Sequence, residues 1–170
     1  NVDGFQFKEA AIPVSERPEM DQWILSELNS LIAQVVNGME AFEPTRAFRP
    51  IQEFTTEKLS NWYVRLGRRR FWKGEYEVDK ISAYQTLWTC LETLSRLMAP
   101  LAPFYSDQLY RDLHNGVVLD AENSVHLTDY PSSNAALINN DLEHKINTAR
   151  KLTSLVLSIR KKENLKVRQP

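Results

Sequence analysis

Long stretches of this chain carry apolar side chains at helical spacing, with prolines between them, and that pattern leaves little room for anything but helices. Ile24, Leu25, Leu28, Leu31, Ile32, Val35, Met39 and Phe42 recur every three or four residues and line one side of a first helix. Pro18 suits its opening turn, and the helix ends before Pro44. A second helix begins between Pro44 and Pro50 and runs to about Arg70, with Ile51, Phe54, Leu59, Trp62, Tyr63 and Leu66 as its buried face. Pro50 either kinks it or begins its regular part. Asp79 is a suitable N-cap for a third helix, whose inward stripe is Ile81, Tyr84, Leu87, Trp88, Leu91, Leu94, Leu97 and Met98. Pro100 and Pro103 break it and start a short helix through Phe104, Leu109 and Leu113. Asn115 to Ser133 form a connection in which SVHLTDYP holds a brief extended stretch. A last helix runs from about Ile138 to Lys162 with Leu142, Ile146, Ala149, Leu152, Val156 and Ile159 inward.

Residues 1–17 show no helical period and form a lead-in segment. The rest predicts an all-α antiparallel bundle of about five helices over residues 18–170. Only five glycines in 170 residues argue against a turn-rich β-sandwich.

The chemistry this chain lacks is equally legible. It has no glycine-rich phosphate loop and no paired histidine or cysteine spacing for zinc. His114, His126 and His144 are scattered over a helix end, a loop and a helix surface, and neither Ser60 nor Ser106 has a histidine one helical turn away. The chain by itself is therefore expected to be non-catalytic. The lone Cys90 excludes an internal disulfide, fits a reducing, cytoplasmic setting, and sits in an apolar pattern as a small core residue. No apolar run is long enough for a membrane span, and no signal peptide is visible. A formal net charge of −1 rules out a uniformly basic nucleic-acid binder, so any RNA site must come from charge segregation. Basic residues crowd Arg65 to Lys73 and Lys145 to Arg168, while acidic ones are commoner around Glu16 to Glu57 and Asp107 to Glu122.

The segment LSNWYVRLGRRRFWK, Leu59 to Lys73, sets Arg65, Arg68, Arg69, Arg70 and Lys73 beside Trp62, Tyr63, Phe71 and Trp72. Guanidinium forks grip phosphates and aromatic faces stack on unpaired bases, a mixture suited to loop or single-stranded RNA. The competing reading is a helix with core aromatics and solvated or carboxylate-paired arginines. At 3.6 residues per turn, Arg65, Arg68, Arg69 and Trp72 share a stripe about a third of a turn from the apolar one. Arg70 falls on the apolar side, where it snorkels unless Gly67 and Gly74 loosen the helix end.

The chain resembles the anticodon-binding helical domain of class I aminoacyl-tRNA synthetases, the isoleucyl members in particular. The resemblance rests on NVDGF (Asn1 to Phe5), DQWILSELNSLI (Asp21 to Ile32), PTRAFRPIQEF (Pro44 to Phe54), LSNWYVRLGRRRFWKG (Leu59 to Gly74), AYQTLWTCLETLSRLMAPLAPF (Ala83 to Phe104), SVHLTDYP (Ser124 to Pro131) and KVRQP (Lys166 to Pro170), in family order. It implies a module of a larger enzyme that activates isoleucine with ATP and magnesium and esterifies it to isoleucine tRNA. The family's two catalytic signatures, His-x-Gly-His and Lys-Met-Ser-Lys-Ser, do not occur here, and neither does the inserted editing domain. The expectation is thus a piece excised between the catalytic domain and further C-terminal elements, with no cofactor of its own. Pro50 departs from the family pattern and puts the straightness of the second helix in doubt.

The resemblance assigns Arg65, Arg68 and Arg69 to phosphates of the anticodon stem and loop. Trp72, beside Lys73 at the loop end, either stacks on an unpaired base or lids the core. Trp62, Tyr63, Trp23 and Trp88 read as core, and Arg70 as an internal salt bridge. Arg46 and Arg49 are further RNA candidates, with a pair to Glu53 as the plainer role of Arg49. Arg160, Lys161, Lys162, Lys166 and Arg168 form a second basic patch, either a solvated face or a tRNA stem contact. The alternative functions are a structural bundle that positions neighbouring domains and touches tRNA little, and the equivalent domain of a valyl or leucyl relative.

Overall fold

The computed structural model describes residues 4–5, 10–73, 75–115 and 122–165. Every regular element among them is helical. They are α1 (Glu19–Glu40), α2 (Pro44–Glu53), a π-helical segment (Phe54–Val64), α3 (Arg68–Trp72), α4 (Val78–Met98), α5 (Pro103–His114) and α6 (Asn140–Lys162), with single 3-10 turns at Val14–Glu16, Val125–Leu127 and Ala135–Leu137. The chain divides into two compact units, residues 1–138 and 139–170.

In the first unit α1 is the central rod, packed against α2, the π segment and α4. Trp23, Ile24, Leu28, Ile32 and Val35 are buried along it, as the spacing predicts. The α1–α2 crossing is set by Gly38, where an added Cβ would stand 2.8 Å from the Ala47 nitrogen and 2.9 Å from its Cα. Two helix backbones approach this closely only where one lacks a side chain. From that crossing the chain runs back antiparallel to α1, α4 returns, and α5 folds back on α4, with Trp88 Nε1 donating to the Leu113 carbonyl at 3.0 Å.

Pro50 lies inside α2 and cannot donate a main-chain hydrogen bond, and the chain passes after Glu53 into wider i→i+5 turns. This changes the residues per turn and breaks the simple wheel. Ile51, Phe54, Leu59 and Tyr63 are buried as predicted, but Trp62 is half-buried and Leu66 is 58% exposed. Phe71 takes the core place instead. Gly67 interrupts the second helix, so the expected single helix to Arg70 becomes three segments.

Other expectations also shift. Phe42 does not extend the α1 stripe, because α1 ends at Glu40 and Phe42 turns into the left-handed region. Asp79 is not a cap: Glu77 holds that position, and the Asp79 carboxylate is taken by Arg70. The most buried side of α4 carries Ser82, Ala83, Gln85, Thr86, Cys90 and Thr93, with Leu94 and Leu97. The predicted residues Ile81, Tyr84, Leu87, Trp88 and Leu91 are half-buried flanks. The rotation has a chemical cause. Ser82 bonds Asp21, Arg17 donates to Thr86 at 2.8 Å, and Gln85 holds the lead-in through Ile12 N (3.0 Å) and Ala10 O (3.1 Å). SVHLTDYP forms a 3-10 turn, not an extended stretch, because Asp107 gathers Ser124 Oγ (2.6 Å) and Val125 N (3.0 Å).

The second unit is built on α6, capped by Asn139, whose side chain accepts from Leu142 N at 3.0 Å. Leu142 is buried, but Leu152, Val156 and Ile159, expected inward, are exposed.

Candidate nucleic-acid interface

The site is built from a buried carboxylate outward. Asp21, in the first turn of α1, has no exposed surface. Its Oδ1 accepts from Tyr63 Oη at 2.8 Å and Arg70 Nη1 at 2.6 Å, and its Oδ2 from Arg70 Nη2 at 2.8 Å and Ser82 Oγ at 2.6 Å. A buried carboxylate tolerates its charge only when its lone pairs are filled in this way. Arg70 also donates to the Asp79 carboxylate and, at 2.9 Å, to the Asp79 carbonyl. Burial works against the Arg70 charge, but its bonds to Asp21 and Asp79 outweigh that and hold the guanidinium protonated. Burial, with the Asp21 charge beside it, pushes the Tyr63 phenol well above its ordinary range. Arg70 is thus the internal salt bridge the sequence suggested.

Phe71 is the second anchor. Its ring lies edge-on to Tyr63 at 6.3 Å and to Tyr84 at 5.9 Å, and Tyr84 Oη donates to the Phe71 carbonyl. Gly67 closes the turn before α3: its N–H donates to the Tyr63 carbonyl at 2.9 Å, and a Cβ would stand 2.9 Å from that oxygen.

With Arg70 and Phe71 held inward, the remaining residues of α3 must face out. Arg68, Arg69 and Lys73 are exposed, Trp72 is 69% exposed, and Arg65, before the Gly67 turn, is exposed too. Trp72 is therefore no lid over the core. Its indole is open to solvent, with Arg68 and Arg69 one helical turn before it and Lys73 after it, residue types that can stack on an unpaired base and grip phosphates.

Other predicted residues lie elsewhere. Arg46 is at the opposite end of the bundle, beyond the Gly38–Ala47 crossing, whereas Arg70 reaches the first turn of α1. The 22 residues of α1 separate those ends by about 33 Å. Arg46 pairs with Glu43 at 3.3 Å, both exposed, and lies with Arg49 and Glu53 along a shallow open groove on α2. Arg160 and Lys161 occupy the last turn of α6, where positive charge complements the helix dipole. Lys166 and Arg168 lie outside the described residues. Sequence periodicity missed Phe42, which is 91% exposed, although Pro44 two positions on signals a helix end there.

The model of the family described as "Anticodon-binding domain of tRNA ligase" matches residues 21–170. Isoleucine–tRNA ligase of Bacteroides thetaiotaomicron is 53% identical over 170 residues, all of this chain and 15% of that protein. The Cytophaga hutchinsonii protein of the same name is 53% identical over the same 170 residues, and the Thermus thermophilus one 39% over 158 residues, 93% of the chain. The chain spans about 15% of the length of these relatives.

Proposed function

Because this chain belongs to the anticodon-binding domains of tRNA ligases, we propose that it is the anticodon-arm-binding module of an isoleucine–tRNA ligase. The observation that carries this reading is the outward face of α3 and the turn before it. Arg65, Arg68, Arg69, Trp72 and Lys73 are all exposed on a segment whose other side is locked to the core by Arg70 and Phe71. A surface that binds RNA phosphates gains from being fixed in advance, since long side chains on a mobile segment lose more entropy on binding.

The partner is the anticodon stem and loop of isoleucine tRNA, and the whole enzyme attaches isoleucine to that tRNA in the cytoplasm. The restriction to isoleucine rests on the named relatives. ATP and magnesium belong to a catalytic domain outside this chain, which carries neither class I signature. The role here is placement: holding the anticodon arm fixes where the far acceptor end meets the chemistry.

The test is a titration of this chain with an isoleucine tRNA anticodon stem-loop at several salt concentrations. Tight binding at low salt that weakens steeply with added salt, and weakens again in Arg65→Glu/Arg69→Glu, is expected. Unchanged affinity in that variant would leave the structural-bundle alternative standing.

A further inference from the structure

We propose that Phe42 is a base-stacking residue, and that it forms with Arg46 and Arg49 a second RNA contact at the end of the bundle remote from α3. The inference rests on the RNA-binding reading above and adds a site to it.

The backbone around Phe42 closes α1 in a six-residue pattern. Phe42 N donates to Met39 O at 3.0 Å and Glu43 N to Gly38 O at 2.9 Å, the two bonds of a Schellman motif. In that motif the residue after the cap must be left-handed, which is why glycine or asparagine normally stands there. Here it is phenylalanine, at φ 58°. A bulky aromatic in this conformation is a genuine outlier, and its Cβ is crowded by its own main chain. The strain is not offset by burial, because the ring is 91% exposed. A glycine would suit the turn better and remove an apolar ring from water. Nothing in the described fold uses the ring. Strain that the fold does not need points to a role outside it.

The next residues supply the chemistry. A shallow open groove runs along α2 from Glu43 to Glu53, carrying Arg46 and Arg49 together with Glu43 and Glu53. Arginines grip phosphate, and a carboxylate accepts from an exocyclic base amine. The Arg46–Glu43 pair is exposed on both sides, so releasing Arg46 to a phosphate costs little. An aromatic face in the open, four and seven positions before two exposed arginines on the helix that follows it, fits an unpaired nucleobase with its flanking phosphates. A peptide side chain would use the arginines poorly. The Gly38–Ala47 contact fixes the hairpin that presents the ring.

The test pairs stability with binding, because the two should move in opposite directions. Phe42→Gly should raise the melting temperature of the chain by about 2–4 °C as strain is relieved. It should weaken binding of the isoleucine anticodon stem-loop by about 5- to 150-fold, the equivalent of ~1–3 kcal/mol for one stacked base. Phe42→Trp, which keeps a stacking face, should retain the affinity. A fluorescent adenine analogue in the loop should be quenched by the parent chain and not by Phe42→Gly. If Phe42→Gly lowers the melting temperature, the ring is structural and the proposal is overturned. If it leaves affinity unchanged while Arg65→Glu/Arg69→Glu weakens binding, the Phe42 site is overturned and the module's function survives. If neither variant weakens binding, both fall.

Discussion

The Arg70 guanidinium grips both oxygens of Asp21, at 2.6 and 2.8 Å, across 49 residues of sequence. It is the polar bond that fastens α3 to the first turn of α1, and it is why three neighbouring arginines divide into one that faces in and two that face out. Removing one partner of a buried pair strands the other. Asp21→Asn should therefore destabilise the chain by about 3–5 kcal/mol, read by chemical denaturation at neutral pH. A loss under ~1 kcal/mol, the range of exposed pairs, would mean that the network is not a structural centre.

The outward arginines predict a specific salt response. Each lost phosphate contact lowers the slope of log affinity against log salt by about one. Arg65→Glu, Arg68→Glu and Arg69→Glu, made singly, should each reduce the slope while leaving the melting temperature within about 2 °C, since exposed substitutions rarely move stability far. Filter binding at a series of salt concentrations measures it. Slopes that stay at the parent value would remove these residues from the interface.

Gly38→Ala adds a methyl group against the fully buried Ala47 backbone. Backbone cannot yield as a flexible side chain does, so overpacking should cost about 1–3 kcal/mol. Thermal and urea melts would show it. Increased stability, the usual effect of replacing a helical glycine with alanine, would refute the close crossing.

Asp107 gives an acid-range prediction. The Ser124 hydroxyl holds its carboxyl below the ordinary range, aided by the Val125 N–H and Arg111. A lowered folded value stabilises the fold fully above the unfolded value, about 3.9, and that stabilisation is lost as pH falls through the folded one. The melting-temperature gap between the parent chain and Asp107→Asn should therefore be largest near neutrality. It should close as pH falls from about 5 to below 3. A constant gap across that window would contradict the assignment.

Cys90 has no exposed surface, and burial, followed by the nearby Asp21 charge, pushes its thiol well above the ordinary range. Alkylation follows the thiolate and its access to solvent. Iodoacetamide should leave the native chain unmodified and label it in guanidinium chloride, as mass spectrometry would show. Rapid labelling under native conditions would show that the core around α4 opens readily.

Much of this was open to reading from the chain alone. Ile24, Leu28, Ile32 and Val35 repeat as a helix requires and are buried, because a regular helix converts spacing directly into a face. The cluster of cations in Leu59 to Lys73 was legible for the same reason, and Arg65, Arg68, Arg69 and Lys73 are exposed.

The rest required the tertiary structure. Pro50 and the π turns after it changed the residues per turn, so Leu66 emerged into solvent and Phe71 went in. Polar anchors turned α4, since Ser82, Gln85 and Thr86 had hydrogen-bond partners that no periodicity encodes. Arg46 and Arg69 stand 23 positions apart on one helical run, so its rise, about 34 Å, sets them at opposite ends of the bundle. The sequence determined where helices form and where cations and aromatics cluster. Which carboxylate holds Arg70 inside was decided by the fold, because a charge becomes internal only when a distant carboxylate closes on it.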